Sequence, residues 1–151
     1  MVHSTPTARR TTGCLALAAL ASLAACGGDG PTEPEEAVPC AETSAQTTIV
    51  AGQTVNAALG ATDCLLADGS HADLYRFSLT SARAVQIDMT SSAVDAYLGI
   101  LDAGGDLLVD DDDGGGGTDA RIVATLLAGD YVIVATSYDP GETGGYQLRV
   151  Q

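Results

Sequence analysis

The sequence predicts an all-β fold, an antiparallel β-sandwich of about eight or nine strands that occupies residues 40–151. From Thr47 onward, apolar and polar residues alternate with a period of two, and turns rich in Gly and Asp separate the runs about every eight to twelve positions. Such alternation gives each strand one core face and one solvent face. No segment shows the i, i+3, i+4 spacing of an amphipathic helix, so the evenly spaced short strands favour a two-layer sandwich.

Two predicted strands show the alternation most clearly. Leu74–Leu79 places both of its aromatic side chains on one face. Ala84–Met89 places Gln86 and Asp88 on the face opposite its apolar residues. The chain has one Phe and no Trp, so the core must consist mostly of aliphatic residues and Tyr. The other strands are predicted at Thr48–Val50, Thr54–Leu59, Tyr97–Leu101, Leu107–Val109, Ile122–Leu126, Tyr131–Thr136 and Tyr146–Val150.

The first part of the chain, residues 1–25, has the pattern of a targeting segment. Arg9 and Arg10 precede a short apolar run, Leu15–Leu23, which is too short to cross a bilayer as a stable helix. The run ends in Leu-Ala-Ala-Cys-Gly, which resembles the lipobox of bacterial lipoproteins. In those proteins the cysteine, here Cys26, becomes the mature N-terminus and carries acyl chains such as palmitate.

Residues 26–39 are predicted to form a flexible, lipidated tether, because glycine, proline and acidic residues cannot bury enough apolar surface to fold. The lipoprotein resemblance implies an exported cell-envelope protein whose first partner is a membrane, bound through the N-terminal lipid. In those lipoproteins an aspartate directly after the cysteine favours retention in the inner membrane; here that residue is Gly27, so the resemblance implies the outer membrane or cell surface. An ordinary secretory signal with an incidental cysteine is the alternative.

Two cysteines remain in the predicted folded part, Cys40 and Cys64. An even number of cysteines in an exported chain predicts a disulfide. Closing a loop of about 25 residues would stabilise the fold by roughly 3–4 kcal/mol. A zinc site is disfavoured because this part contains a single histidine, His71, and no C-x-x-C spacing.

Charge excludes one class of partner. All 20 acidic residues follow Cys26, together with only four arginines and no lysine, so the processed chain carries a formal charge of −16. A surface of this sign repels phosphate backbones, and nucleic acid is therefore not expected as a partner. Cations are the natural counter-charge, although solubility alone would also explain the acidity.

The order of several short motifs resembles the bacterial pre-peptidase C-terminal (PPC) domain. Asp73–Leu79 follows the pattern D-x-Y-x-F-x-L of that family. The further matching segments are Val94–Leu98 (D-x-Y-L), Leu101–Leu107 (D-x-x-G), Leu108–Gly115 (the acidic stretch), Leu126–Tyr131 (L-x-x-G-x-Y) and Gly145–Leu148 (G-x-Y-x-L).

The resemblance implies a jelly-roll-like sandwich of a type found in secreted peptidases, where it is non-catalytic and assists targeting, substrate binding or solubility. We therefore expect a non-catalytic binding or accessory module whose partner is an unknown envelope protein, peptide or glycan. A purely structural envelope lipoprotein is one alternative. A small secreted hydrolase that uses His71 or a pair of acids is the other.

Four aspartates and four glycines, Asp110–Gly117, follow a predicted hairpin. A two-residue turn at Gly104 and Gly105 would place Ile100 opposite Val109. No register of this segment fits an EF-hand loop, and the glycines lack the lysine of a phosphate-binding loop.

In that register three carboxylates share one face near one end of the hairpin, those of Asp95, Asp110 and Asp112. Asp119 could return from the glycine loop to join them. Calcium takes six to eight oxygen ligands, which backbone carbonyls and water could complete. The candidate calcium ligands are therefore these four aspartates, with a solvated acidic turn as the alternative.

Catalytic residues are sparse. Ser70, His71 and Asp73 are neighbours in sequence, but a hydrolase triad also needs a rigid scaffold and an oxyanion hole. No acid pair stands out as buried in two contrasting environments, as glycosidase chemistry requires. The sequence therefore predicts that the protein is not an enzyme.

Overall fold

The structure is a computed structural model, and it describes Cys40 and residues 47–151. The predicted signal segment 1–25 and tether 26–39, including Cys26, lie outside the described residues, so lipidation and these boundaries stay predictions. The described residues include no helix long and apolar enough to cross a membrane.

Ten strands form the described part of the chain, and no helix is present there. Eight of the nine predicted segments form strands, whereas of Thr48–Val50 only Thr48 lies in a strand, the two-residue Thr47–Thr48. A second two-residue strand, Cys64–Leu65, was not predicted and brings the number to ten. The strands are β1 (Thr47–Thr48), β2 (Thr54–Leu59), β3 (Cys64–Leu65), β4 (His71–Leu79), β5 (Arg83–Ser91), β6 (Ala96–Asp102), β7 (Leu107–Asp111), β8 (Ala120–Leu126), β9 (Gly129–Ser137) and β10 (Gly144–Val150).

The strands form two sheets. Sheet A has the order β1-β4-β9-β6-β7, with β3 added beside β4, and sheet B has the order β2-β10-β5-β8. Every described pairing of strands is antiparallel except that of β1 with β4. Without the two-residue strands β1 and β3, the sheets have the strand order of a jelly roll. The predicted all-β, jelly-roll-like sandwich is therefore confirmed.

The core lies between the sheets and is built by the predicted alternation. Phe77 of β4 and Ile87 of β5 are almost completely buried, at 1% and 0% exposed. Gln86 lies on the opposite, partly exposed face of β5. Aliphatic side chains supply most of the remaining core, as the shortage of large aromatic residues requires: Ile49, Leu59, Leu79, Val85, Met89, Val94, Ala96, Leu98, Ile100, Ala120, Ile122, Leu126, Ile133, Ala135, Leu148 and Val150.

The β6–β7 hairpin corrects one prediction. Ile100 does pair with Val109, but the two-residue turn is wrong, because the register shifts by one between Ile100 and Leu101. The Asp102 N–H donates to the Asp106 carbonyl at 3.0 Å, which leaves three residues in the loop. The Asp102 carboxylate stabilises this longer loop by accepting the N–H groups of residues 104 and 106 at 2.8 and 3.0 Å.

The predicted disulfide is present. Cys40 and Cys64 are bonded, with their Cα atoms 4.8 Å apart. The Cys40 N–H also donates to the Leu65 carbonyl at 2.9 Å. Both cysteines pack against a small second apolar cluster centred on Leu74 and Val134, which lies on the outer face of sheet A. The disulfide therefore fixes the start of the domain to that face.

Candidate functional site

Four connections between strands meet at one end of the sandwich. The Tyr138 N–H donates to the Asp95 carbonyl at 2.8 Å, and the Ala96 N–H donates to the Thr118 carbonyl at 3.0 Å. Seven acidic residues lie in these connections, so we call this region the acidic end. Its residues are Asp68 (β3–β4), Asp95 (β5–β6), Asp112, Asp113 and Asp119 (β7–β8), and Asp139 and Glu142 (β9–β10).

Asp95 stands out within the acidic end. Its N–H donates to the Glu142 carboxylate at 2.9 Å, yet its own Oδ1 is buried and has no hydrogen-bond partner. Burial raises the pKa of Asp95, and the negative charges of Asp113, Glu142, Asp139 and Asp112 raise it further. A cation among these carboxylates would relieve both effects, because it would neutralise the repulsion and supply the missing partner.

The other predicted calcium ligands separate in the structure. The carboxylate of Asp110 accepts a short hydrogen bond from the Tyr97 hydroxyl on the outer face of sheet A. Asp119 Oδ1 accepts the Ser91 N–H at 2.9 Å and is thereby tied to β5. Of the four predicted residues, only Asp112 is among the charges that act on Asp95. As placed here, no three His, Cys, Asp or Glu side chains of the described residues could hold a metal ion.

Asp139 and Glu142 were missed as neighbours of Asp95. The contact between Asp95 and Glu142 spans 47 positions in the sequence. It is created by the strand order, in which β6 and β9 are adjacent in sheet A. Local alternation carries no information about that order, so a spacing argument could only pair Asp95 with the adjacent hairpin.

The acidic run also shapes its own loop. Asp111 Oδ2 accepts the N–H groups of Gly114 and Arg121, both at 2.8 Å. A Cβ atom at Gly115 would lie 2.6 Å from the Asp119 carbonyl oxygen, so the chain can pass there only as glycine. Part of the acidic run and at least one of the glycines are therefore explained by the β7–β8 connection itself.

Two tyrosines lie beside the acidic end on the outer face of sheet A. The ring centroids of Tyr97 and Tyr138 are 6.4 Å apart, and Tyr138 is 56% exposed. The hydrogen bond to Asp110 raises the pKa of Tyr97 to about 12, assisted by burial and by the charges of Asp110, Asp112 and Asp68. An aromatic pair, of which Tyr97 bonds a carboxylate, is thus accessible from solvent.

A buried hydrogen-bond chain links the two sheets at the same end. Tyr146 of β10 donates to Asp73 of β4 at 2.6 Å, and its oxygen lies 2.6 Å from that of Tyr75. Burial raises the pKa of Asp73, although the Tyr146 hydroxyl partly opposes this rise. Burial, together with the hydrogen bonds from its neighbours, also raises the pKa of Tyr146. This chain satisfies polar atoms between the sheets and is structural.

On the outer face of sheet B, Asp88 is 8% exposed and fully hydrogen-bonded. It accepts hydrogen bonds from Arg121, from Gln86 at 2.8 Å and from Gln151 at 3.0 Å. Burial would raise the pKa of Asp88, but the three donors outweigh that effect and hold it below its usual range.

The hydrolase alternative gains no support from the geometry. The Ser70 Oγ and the His71 Nδ1 are buried and have no hydrogen-bond partner. Asp73 is engaged by Tyr146 instead. In the described part of the chain, therefore, no nucleophile–base–acid relay joins these three residues.

Comparison with known proteins identifies the class of fold. No protein-family model and no curated protein sequence matches the chain. Among solved structures, the PPC domain of a collagenase from Bacillus anthracis is similar, with a TM-score of 0.57 and 20% identity over 79% of this chain and 98% of that domain. The protein therefore has the fold of a PPC domain, as the motif order predicted.

Two other structures are more distant. A periplasmic inhibitor of g-type lysozyme from Aeromonas hydrophila has a TM-score of 0.49 and 13% identity over 70% of this chain and 95% of the inhibitor. CorA, a surface-associated copper-binding protein of Methylomicrobium album BG8, has a TM-score of 0.44 and 10% identity over 71% of this chain and 98% of that protein. Their similarity is too low to bear on function.

Proposed function

We propose that this protein is an exported, lipid-anchored module that binds a component of the cell envelope without turnover. The observation that carries the proposal is that the described residues form one sandwich that covers 98% of a collagenase PPC domain. Domains of the PPC type, to which the motifs also point, serve peptidases as non-catalytic accessories. The binding partner would be an envelope protein, a peptide or a glycan.

The hydrogen bonding of the acids supports a role without turnover. Asp73, Asp88, Asp111 and Asp119 each accept hydrogen bonds that hold strands or loops in place. A general acid or base must instead be free to exchange a proton with a substrate. If a hydrolase screen detected activity in the wild type that His71→Ala abolished, this part of the proposal would be wrong.

The lipid anchor rests on the sequence around Cys26 and has a direct test. The full chain, Cys26→Ser and Cys14→Ser would be produced in a bacterial host fed an alkyne analogue of palmitate. Cys14 lies inside the predicted signal segment and is the matched control, because the same change there should leave processing intact. We expect label and membrane association in the wild type and Cys14→Ser only. Label retained in Cys26→Ser would rule out the anchor.

Calcium binding at the acidic end is a second candidate function, and the unpartnered Asp95 Oδ1 favours it. Its ligands would be Asp95 and Asp112, of the residues first considered, joined by Asp113, Asp139 and Glu142. Because these side chains do not yet converge, calcium would have to draw the β7–β8 and β9–β10 connections together. That closure would order both connections as well as neutralise them.

Thermal unfolding in EDTA and then in excess calcium tests this candidate. We expect calcium to raise the wild-type Tm and to have little effect on Asp95→Asn. Asp106→Asn, at the exposed tip of the β6–β7 hairpin, makes the same change of charge and should respond like the wild type. A midpoint that calcium leaves unchanged, or an equal response in all three proteins, would exclude the site.

A further inference from the structure

The outer face of sheet A is organised in rows across its strands. Tyr97 pairs with Thr136, and two residues further along β6 comes Gly99, paired with Val134. The next row begins with Leu101. Side chains alternate along a strand, so these positions project to the same side of the sheet. The face therefore passes from an aromatic and acidic border to an apolar centre.

The apolar centre is only partly covered. Leu74 and Val134 are 9% and 8% exposed, but Leu107 of edge strand β7 is 55% exposed. Leu107 leans over Gly99, since a Cβ atom at Gly99 would lie 3.3 Å from the Leu107 Cδ1. A flexible leucine thus lies between the apolar centre and solvent, beside Asp110 on the same strand.

The border of this face is negative. The carboxylate of Asp110 contacts the Tyr97 hydroxyl, and the charges of Asp112 and Asp68 act on the same ring. Tyr138, 6.4 Å away, exposes more than half of its surface. We call the two tyrosines, the three aspartates and the exposed leucine together the Tyr–Asp face: Asp68, Tyr97, Leu107, Asp110, Asp112 and Tyr138.

We propose that the Tyr–Asp face binds a cationic polypeptide segment in which Lys or Arg residues stand next to apolar ones. The inference rests on the proposed function, because it assumes a binding module and names the chemistry of its partner. The cationic groups would lie over the tyrosine rings and against the carboxylates, while the apolar side chains would cover Leu107 and the centre of the face.

Charge complementarity selects this occupant. The excess of acids over arginines steers cations toward the domain and repels anionic headgroups and acidic polymers. Arg76, the arginine of β4, is opposite Val132, in the row that Leu101 and Leu107 continue and away from the Tyr97 row. It is three strands from Leu107, or about 14 Å. A cation that approaches Tyr97 and Tyr138 therefore meets carboxylates first.

The test uses three acetylated and amidated pentapeptides with the disulfide-intact domain. Lys-Leu-Lys-Leu-Lys carries both features, Lys-Ser-Lys-Ser-Lys lacks the apolar side chains, and Glu-Leu-Glu-Leu-Glu reverses the charge. Titration followed by amide NMR gives affinity and location together. We expect the first peptide to bind best, the second more weakly and the third not at all, with shifts centred on β6, β7 and Tyr138. Binding should weaken between 20 and 500 mM salt (about 20 Å and 4 Å of screening length).

Substitutions distinguish binding at the Tyr–Asp face from nonspecific attraction to the negative charge of the whole domain. Tyr138→Ser should weaken binding of Lys-Leu-Lys-Leu-Lys about two- to fivefold, the range of one exposed cation–π contact. Asp112→Asn should weaken it about twofold or more. Asp130→Asn removes the same charge at the far end of this sheet face and should change little. Asp130 lies six residues along β9 from Thr136, the partner of Tyr97, or about 20 Å, beyond the screening length of about 8 Å at physiological salt.

Several results of these titrations would overturn the inference. Equal losses in Asp112→Asn and Asp130→Asn, or no effect of Tyr138→Ser, would mean nonspecific attraction and overturn the inference. Preference for the acidic peptide, or for vesicles of anionic lipid over the cationic peptide, would overturn it as well. The proposed binding function would survive any of these results if an envelope ligand still shifted amides on another face of the domain.

Discussion

Tyr146 is the residue through which the two sheets share a buried hydrogen-bond chain. Its hydroxyl donates to Asp73 and contacts that of Tyr75, each at 2.6 Å. Tyr146→Phe would leave both partners buried without this bond, so we expect the free energy of unfolding to fall by about 1–3 kcal/mol. Urea denaturation measures the difference. Tyr138→Phe, at an exposed ring, should cost less than about 0.5 kcal/mol. Equal effects of the two variants would contradict this role.

Asp73 and Asp88 should make stability depend on pH in opposite directions. Burial raises the pKa of Asp73 above its ordinary value of 3.8, so its contribution is fully present below that value and is lost as pH rises through the raised one. Burial opposes ionisation of Asp88 too, but hydrogen bonds from Gln86, Arg121 and Gln151 lower its pKa. Its contribution is present above 3.8 and is lost as pH falls through the lowered value.

Urea denaturation as a function of pH separates these two contributions. Relative to the wild type, Asp73→Asn should remove a decline in stability that begins near the ordinary pKa of 3.8 and continues up to the raised pKa. Asp88→Asn should remove a loss that occurs below pH 4, and it should lower stability by about 1–2 kcal/mol at neutral pH because charge-assisted hydrogen bonds are lost. Parallel pH profiles for wild type and both variants would show that neither carboxyl titrates differently on folding.

At the scale of elements, the Cys40–Cys64 disulfide holds the start of the domain against β3 and the outer apolar cluster. Its sequence separation is 24, and a loop of that size contributes about 3–4 kcal/mol in the chain-entropy model. We expect Cys40→Ala/Cys64→Ala to remain folded with a lower urea midpoint. The wild type in reductant should match the double variant. An unchanged midpoint in both would show that β3 is held by other contacts.

The strands were predictable because their signal is local. Period-two alternation located β4 and β5 correctly, and it paired Ile100 with Val109 across a hairpin. The turn of that hairpin was not predictable from its glycines. The Asp102 carboxylate accepts two N–H groups and so stabilises a three-residue loop. This turn is determined by a side-chain hydrogen bond, which the alternation of apolar and polar residues does not reveal.

The sequence predicted that carboxylates would line the candidate site, but it did not predict which of the acidic residues lie together there. The hairpin register related Asp95 to Asp112, and the charge of Asp112 does act on Asp95. Glu142 reaches Asp95 only because β9 lies beside β6, a consequence of sheet order. Asp119 was expected at the same place, but the Ser91 N–H holds its carboxylate at β5. Long-range neighbours are fixed by topology, which the spacing of residues in the sequence does not reveal.

At the scale of the whole molecule, the two sheets present different chemistry to solvent. The outer face of sheet B carries amides and guanidinium groups around Asp88, including Arg121 and Arg149. The outer face of sheet A carries the tyrosines and the carboxylates of Asp110 and Asp112. The two faces should therefore attract different partners. A binding role at the acidic border predicts contact through sheet A and not through sheet B.

The most direct measurement is photocrosslinking in cells with benzoylphenylalanine placed at position 138 or at position 123. Both native side chains are well exposed, Tyr138 at 56% on the sheet A side and Val123 at 67% on β8 of sheet B. We expect an adduct with an envelope component from position 138, weakened by Asp112→Asn, and none from position 123. An absence of adducts at position 138, or identical adducts at both positions, would contradict a binding module that acts through this face.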